Sequence, residues 1–194
     1  MNSSSEWQRV RAEFAERASQ QGLLDVVVEQ HETPFGLVSL GATERGIVQV
    51  GFATDDQQQM LEELAERVSP RLLRASNRST TLARRQLDEY FDGRRRQFDV
   101  DLDWRLTRGF RREVLDATAR IPYGGTSTYR ELATQVGNAK AVRAAGTALA
   151  TNPLAIFVPC HRVLRTDGGL GGYRGGTGMK FKLLELESQA SDGP

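Results

Sequence analysis

The string Pro159-Cys160-His161-Arg162 sets the chain's only cysteine beside one of its two histidines. A thiol attacks well only as thiolate, and its unperturbed pKa is roughly 8.5. An imidazole next to it can take that proton, directly or through a water. A carboxylate on the second ring nitrogen would orient the imidazole and raise its basicity. Glu185 and Glu187, close to the C-terminal end, are the candidates for that carboxylate. Adjacent side chains on a strand face opposite ways, so Cys160 and His161 can cooperate only across a sharp turn. On these residues alone, a buried structural cysteine is the simpler reading.

One cysteine excludes an intramolecular disulfide and a zinc site built on several cysteines. With only His31 and His161 available, a histidine-rich metal cluster is not expected either. Hydrophobic residues at 39% and charged residues at 26% describe a folded, soluble chain. No apolar run approaches the ~20 residues of a membrane helix. Met1 to Gln21 is polar and lacks a signal-peptide core, so a cytoplasmic location is expected. The net charge of +1 hides an asymmetry. Residues 1–103 carry 13 Lys and Arg against 18 Asp and Glu, while residues 104–187 carry 13 against 6. The second part suits a polyanion, and the first does not.

The elements that must hold Cys160 emerge from periodicity and turn signals. Trp7, Val10, Phe14 and Ala18 recur at helical spacing, predicting an amphipathic helix over 6–21. Leu23–Val28, Gly36–Leu40 and Gly46–Phe52 are Val-, Leu- and Ile-rich, and turn residues separate them. They predict an antiparallel meander. Thr54 or Asp55 caps a helix running to about Val68, and Pro70 ends it. A further helix covers about Ser79–Phe91, and 97–102 is an edge strand or an extended linker. The domain boundary is placed near Asp103, where the charge balance changes. Beyond it, helices are expected over Arg108–Arg120, from a cap at Ser127 or Thr126 through Gln135, and over Ala139–Ala150. A short strand, Leu154–Val158, leads into Cys160. A glycine-rich loop spans Asp167–Gly178, and a last helix spans Met179–Ser188.

The two helices between 127 and 150, joined at Val136-Gly137-Asn138, fit a helix-turn-helix. The second is rich in alanine, with Lys140 and Arg143 among Ala139, Ala141, Ala144, Ala145 and Ala148. Small side chains let a helix approach a duplex closely, and few long polar ones are present to read base edges. The pattern predicts sequence-tolerant contact.

Asn152-Pro153, then 156–163 (IFVPCHRV), then 171–176 (GGYRGG) together resemble the O6-alkylguanine-DNA alkyltransferase family. Ile121-Pro122-Tyr123-Gly124, Tyr129, Leu132-Ala133, Gly137-Asn138 and Lys140 to Ala144 fit the same family in order. So does Lys180 with Leu184 and Glu187. The likeness over 33–103 is looser, resting on strand order, Pro34-x-Gly36 and Tyr90-Phe91-x-Gly93.

The resemblance implies an α/β N-terminal region, a small antiparallel sheet with helices, packed on a mainly α C-terminal domain with the helix-turn-helix. It divides the chain into an extension (1–20), an α/β domain (21–103), a DNA-binding and alkyl-acceptor domain (104–188) and a tail (189–194). It implies single-use transfer of an alkyl group, chiefly methyl, from O6-alkylguanine and also O4-alkylthymine in DNA to Cys160. Minor-groove binding to duplex DNA and flipping of the damaged nucleotide come with it. By position, Cys160 is the acceptor, His161 the water-mediated base, Glu187 its orienting carboxylate and Asn152 the holder of the active-site turn. Tyr129 helps rotate the nucleotide and donates to the guanine. Arg143 fills the vacated stack, with Lys140, Ala141 and Ala144 beside it on DNA. Val163, Gly171, Tyr173 and Arg174 line the guanine pocket. No cofactor, metal or membrane is implied, and the protein is expected as a monomer that can assemble cooperatively on DNA. Some members carry a small residue where Arg174 stands, which bears on bulky alkyl groups.

Three other readings make different demands. A non-enzymatic reader of alkylated guanine would lack Cys160. A transcription factor needs base-reading side chains over Ala139–Ala150. A cysteine hydrolase would turn over many times.

Overall fold

The computed structural model describes residues 3–189. The chain divides into two compact units. One runs through Asp88 and takes in Asp99–Leu106; the other comprises Glu89–Phe98 and the chain from Thr107 onward.

In the first unit, α1 (Ser3–Gln20) turns Ala15 and Ala18 inward and leaves Trp7, Val10 and Phe14 exposed. The buried stripe is therefore the alanine one, whose small side chains let the helix lie close to its support. β1 (Val26–Thr33), β2 (Gly36–Thr43) and β3 (Gly46–Phe52) form the antiparallel meander. Two-residue turns at Pro34-Phe35 and Glu44-Arg45 set its register, pairing Thr33 with Gly36 and Thr43 with Gly46. α2 (Gln57–Arg67) is capped by Asp56, whose carboxylate accepts from the backbone of Gln58 and Gln59. Neither Thr54 nor Asp55 is the cap: Asp55 accepts from the Phe52 amide and closes the turn before it. Met60 and Leu64 of α2 meet Val26, Val28, Val48 and Leu106 in the core of this unit.

β4 (Leu72–Leu73) adds a fourth strand, parallel to β1, in the order β3-β2-β1-β4. The expected antiparallel sheet is thus a mixed one; two residues are too few to show a strand period in sequence. α3 (Arg78–Phe91) comes next. Residues 97–102 form no strand beyond the single bridge of Leu102 to Ile47. Asp103 secures this stretch: its carboxylate accepts from Thr43 at 2.6 Å and pairs with Arg105 at 2.7 Å.

The second unit is mainly helical. It holds α4 (Gly109–Ala119), β5 (Ser127–Thr128), α5 (Tyr129–Gln135), α6 (Val142–Ala150), β6 (Val163–Leu164) and α7 (Gly176–Gln189). α4 packs on α5 and α6. Thr128, not Ser127 or Thr126, caps α5: its hydroxyl accepts from the Glu131 amide while Glu131 accepts from the Thr128 amide. Ser127 is taken by β5, which pairs in parallel with β6 and so ties the start of the helix-turn-helix to the chain just past Cys160.

Gly137 makes the turn after α5 at φ +77°, a conformation that glycine adopts without a Cβ penalty. α6 then starts at Val142, three residues later than expected. Ala139 and Lys140 are spent on a turn, closed by the Ala141 amide donating to Asn138, and Ala141 is the cap residue without a capping side chain. On α7, Lys180, Leu183 and Glu187 are buried at i, i+3, i+7 spacing, one inward face of the helix. The expected tail lies outside the described residues except for Gln189, the last residue of α7. Among the described residues no helix is long and apolar enough to cross a membrane.

Candidate active site

α6 ends at Ala150, and the fully buried Asn152 organises the turn that leads to Cys160. Its side-chain oxygen accepts from the Leu154 amide at 3.0 Å, and its nitrogen donates to the Val158 carbonyl at 3.0 Å. These two bonds fold 152–158 into a turn rather than the expected strand. The Val158 amide reaches back to the Leu154 carbonyl at 2.8 Å, and Ile156 sits at φ +74°, the one left-handed non-glycine residue among those described. An apolar run reads alike as a buried strand or a buried turn, so the sequence could not separate them.

The sharp bend that Cys160 and His161 require comes at Pro159. With φ −79° and ψ 62°, it makes an inverse γ-turn in which the Cys160 amide donates to the Val158 carbonyl at 2.8 Å. A single 3-10 turn over Cys160–Arg162 continues from it, so the two side chains no longer obey strand alternation.

Asn152 also donates to the Cys160 sulfur at 3.2 Å. Burial pushes the Cys160 thiol up; the Asn152 amide and the charges of Lys180 and Arg174 pull it the other way. The net direction is upward, so the resting group is a thiol.

His161 is fully buried and lies 2.9 Å, through Nε2, from Glu187 Oε1. Burial lowers its pKa against the raising pull of Glu187, which leaves a neutral ring at pH 7. Burial alone would raise the Glu187 carboxyl, but its bonds to His161 and Arg162 override that and hold it at about 2. An ionised acceptor at Nε2 selects the Nε2–H tautomer, placing the lone pair on Nδ1. Nδ1 is buried and has no partner among the described residues. Glu185, by contrast, is exposed.

Glu187 is a hub. Arg162 donates to it through Nε and Nη2 at 2.8 and 2.9 Å, Tyr90 through its hydroxyl at 2.5 Å, and the Gly124 amide at 3.3 Å. Arg162 further donates to the Ile121 carbonyl at 2.5 Å. Lys180 donates to the carbonyls of Val163, at 2.5 Å, and of Leu170. Burial lowers the Lys180 pKa to about 8.

Tyr129 opens α5, and its ring lies between Gly146 of α6 and Gly171 of the glycine-rich loop. Gly171 stands at φ +68°, and a Cβ there would come within 2.5 Å of the Tyr129 hydroxyl. Burial raises the Tyr129 pKa, with the neighbouring Cys160 adding to it. The Tyr173 ring meets His161 edge-on at 6.2 Å and 87°. The arrangement is a buried thiol with a hydrogen-bond donor on its sulfur, a neutral imidazole with an open basic nitrogen, and a phenol at the same site. That is equipment for nucleophilic displacement.

Residues 109–189 match the family domain described as "6-O-methylguanine DNA methyltransferase, DNA binding domain", and residues 26–104 its "ribonuclease-like domain". The chain is 37% identical over 156 residues to the methylated-DNA–protein-cysteine methyltransferase of Methanosarcina barkeri, 80% of this chain and 93% of that one. The inducible enzyme of that name from Bacillus subtilis is 36% identical over 152 residues, 78% and 84% of the two chains. The chain belongs to the 6-O-methylguanine DNA methyltransferase family. Its fold agrees: the crystal structure of the Mycobacterium tuberculosis O6-methylguanine methyltransferase superposes with a TM-score of 0.72 at 34% identity, covering 87% of this chain and 95% of that one. A second M. tuberculosis structure, OGT in complex with DNA, gives the same TM-score at 35% identity over 85% and 94%.

Within this methyltransferase-family chain, the other residues singled out in the sequence differ in exposure. Arg143 and Ala144, in the first turn of α6, are exposed, and so is Thr147 one turn on, which the sequence did not suggest. Lys140 is exposed but sits in the turn before α6, and Ala141 is half-buried. Val163 is buried and its carbonyl is occupied by Lys180, whereas Arg174 is half-buried and near enough to act electrostatically on Cys160. Three residues received no role from the sequence: Tyr90, Arg162 and Lys180. Arg162 and Lys180 stood inside the motif strings, and Lys180 shares the inward face of α7 with Glu187. Tyr90 lies 70 residues before the cysteine, and only the Tyr90-Phe91-x-Gly93 string pointed to it.

Proposed function

We propose that this chain repairs DNA by moving the alkyl group of O6-alkylguanine onto Cys160. The observation that carries the reading is the buried Glu187–His161 pair, which leaves the basic Nδ1 without a partner in the residue that follows a cysteine held by Asn152. The names of the relatives support the reaction class, and the DNA complex of the M. tuberculosis protein supports DNA as partner.

His161 Nδ1 accepts the Cys160 proton through a bridging water, and Glu187 stabilises the imidazolium that forms. The thiolate attacks the alkyl carbon; a carbon–sulfur bond forms as the carbon–oxygen bond breaks. Guanine leaves with the carbon–oxygen electron pair; Tyr129 donates a hydrogen bond to the base as charge develops, and the base takes up one proton, matching the one that His161 accepted from the thiol and returns to solvent. The atoms balance without nucleotide or metal. The product is a thioether, whose carbon–sulfur bond is stable to hydrolysis, so each chain reacts once.

The duplex is engaged from the minor groove by the helix-turn-helix. The exposed, small-residue face of α6 at Ala144 allows close approach, and Arg143 enters the space left by the flipped nucleotide. Val163, Gly171, Tyr173 and Arg174 line the pocket that receives it, where O4-alkylthymine is also a substrate. The chemistry is complete within one chain, which acts in the cytoplasm. Titration with a duplex containing O6-methylguanine tests the single-use character: transfer stops at one equivalent, and continued turnover overturns it.

A further inference from the structure

We propose that Tyr90 is a positioning residue of the Cys160–His161 site: its hydroxyl anchors the Glu187 carboxylate and limits that carboxylate's pull on His161. The inference rests on the alkyl-transfer reading of the site and adds a residue from the other half of the sequence.

Tyr90 sits in the last turn of α3, within the short segment, Glu89–Phe98, that belongs to the second unit. It is fully buried. Phe91, Phe98 and Tyr123 pack against its ring with centroids at 5.5, 5.1 and 5.9 Å. Its hydroxyl donates to Glu187 Oε1 at 2.5 Å and stands 3.4 Å from His161 Nε2. A buried tyrosine hydroxyl takes a hydrogen-bond partner, and the one taken here is the carboxylate that holds His161.

Oε1 receives three donors: Tyr90, His161 Nε2 and Arg162 Nη2. Each draws on the same negative charge. The more of it Tyr90 and Arg162 take up, the less is left to stabilise a proton on His161. This matters because His161 must be neutral at rest to accept the Cys160 proton, yet must tolerate the proton during transfer. The charged and titratable groups around it are Glu187 and Lys180 from α7, Arg162 and Cys160 from its own turn, Tyr173 from the glycine-rich loop and Tyr90 from α3. Among these only Glu187 favours the imidazolium strongly, so a hydroxyl that tempers Glu187 sets the balance. Burial keeps Tyr90 itself protonated, its pKa well above the ordinary value, and it therefore stays a donor throughout.

Tyr90→Phe removes the hydroxyl and keeps the ring. The first measurement is an NMR titration of the imidazole signals in the unreacted full chain, where His31 is the single other histidine and the two sets of signals are assigned by substituting it. The His161 midpoint rises by roughly one pH unit in Tyr90→Phe, the size of one lost charge-assisted hydrogen bond. The second measurement is the pH profile of methyl transfer. Its acid limb moves up with the midpoint, while the rate on the alkaline plateau stays within about threefold of wild type. An unmoved His161 midpoint, or a rate loss equal at every pH, overturns the positioning role. If the unsubstituted protein transfers no methyl group, the alkyl-transfer reading fails, and the His161 titration still decides the role of Tyr90.

Discussion

The Asn152 amide lies 3.2 Å from the Cys160 sulfur and makes two more bonds, to the Val158 carbonyl and from the Leu154 amide. One side chain thus shapes the turn and touches the nucleophile. Asn152→Ala leaves two backbone groups in a buried turn without partners and should cost about 2–3 kcal/mol in urea denaturation. It also removes the donor that lowers the thiol, so the pH midpoint for alkylation of Cys160 by iodoacetamide should rise. A lost fold stability with an unchanged thiol midpoint would separate the two roles and contradict the second.

Acid should destabilise this protein in two stages. His161 is depressed below its ordinary 6.5, so as the pH falls through that value the unfolded chain binds the proton first and stability declines. Glu187, held at about 2 against an ordinary 4.5, adds stability that is complete above 4.5 and is lost as the pH falls toward 2. The Glu187 contribution is of the order of 3 kcal/mol. Urea midpoints measured stepwise from neutral to acid pH should fall below 6.5 and fall faster below 4.5. A midpoint that rises on acidification contradicts the neutral buried histidine.

Gly171→Ala places a Cβ against the Tyr129 hydroxyl at a left-handed backbone position. The substitution should cost about 1–2 kcal/mol in stability and slow methyl transfer by about tenfold or more. Transfer at the wild-type rate would show that Tyr129 does not need its present position for the reaction.

Arg143 is exposed in the first turn of α6. Arg143→Ala should slow transfer from O6-methylguanine in a duplex by about tenfold or more while leaving reaction with the free alkylguanine base unchanged. Equal losses with both substrates would remove its proposed role in nucleotide flipping.

The meander is legible in the sequence because each strand is long enough to show its pattern and turn residues punctuate it. β4 is not, since two residues have no period. The helix-turn-helix is legible in outline, but its second helix starts late: Ala139, Lys140 and Ala141 have good helix propensity and are used instead to make the turn. The stretch 154–158 reads as a strand yet is none, because Asn152, not a neighbouring strand, satisfies its backbone. Of the two candidate carboxylates, helical phase distinguishes Glu187 from Glu185, as Leu183 and Glu187 share the inward face of α7. The Tyr90-Phe91-x-Gly93 string marks Tyr90 but not its role, because Tyr90 reaches Glu187 through tertiary packing, 97 positions apart in the chain.

The central claim is that Cys160 is the acceptor. Incubation with a duplex containing O6-methylguanine, followed by peptide mass spectrometry, tests it directly. The account predicts the added mass of one methyl group, on the peptide bearing Cys160 and at that sulfur, and none in Cys160→Ser. Methyl transfer that survives Cys160→Ser, or a label on any other residue, would contradict it.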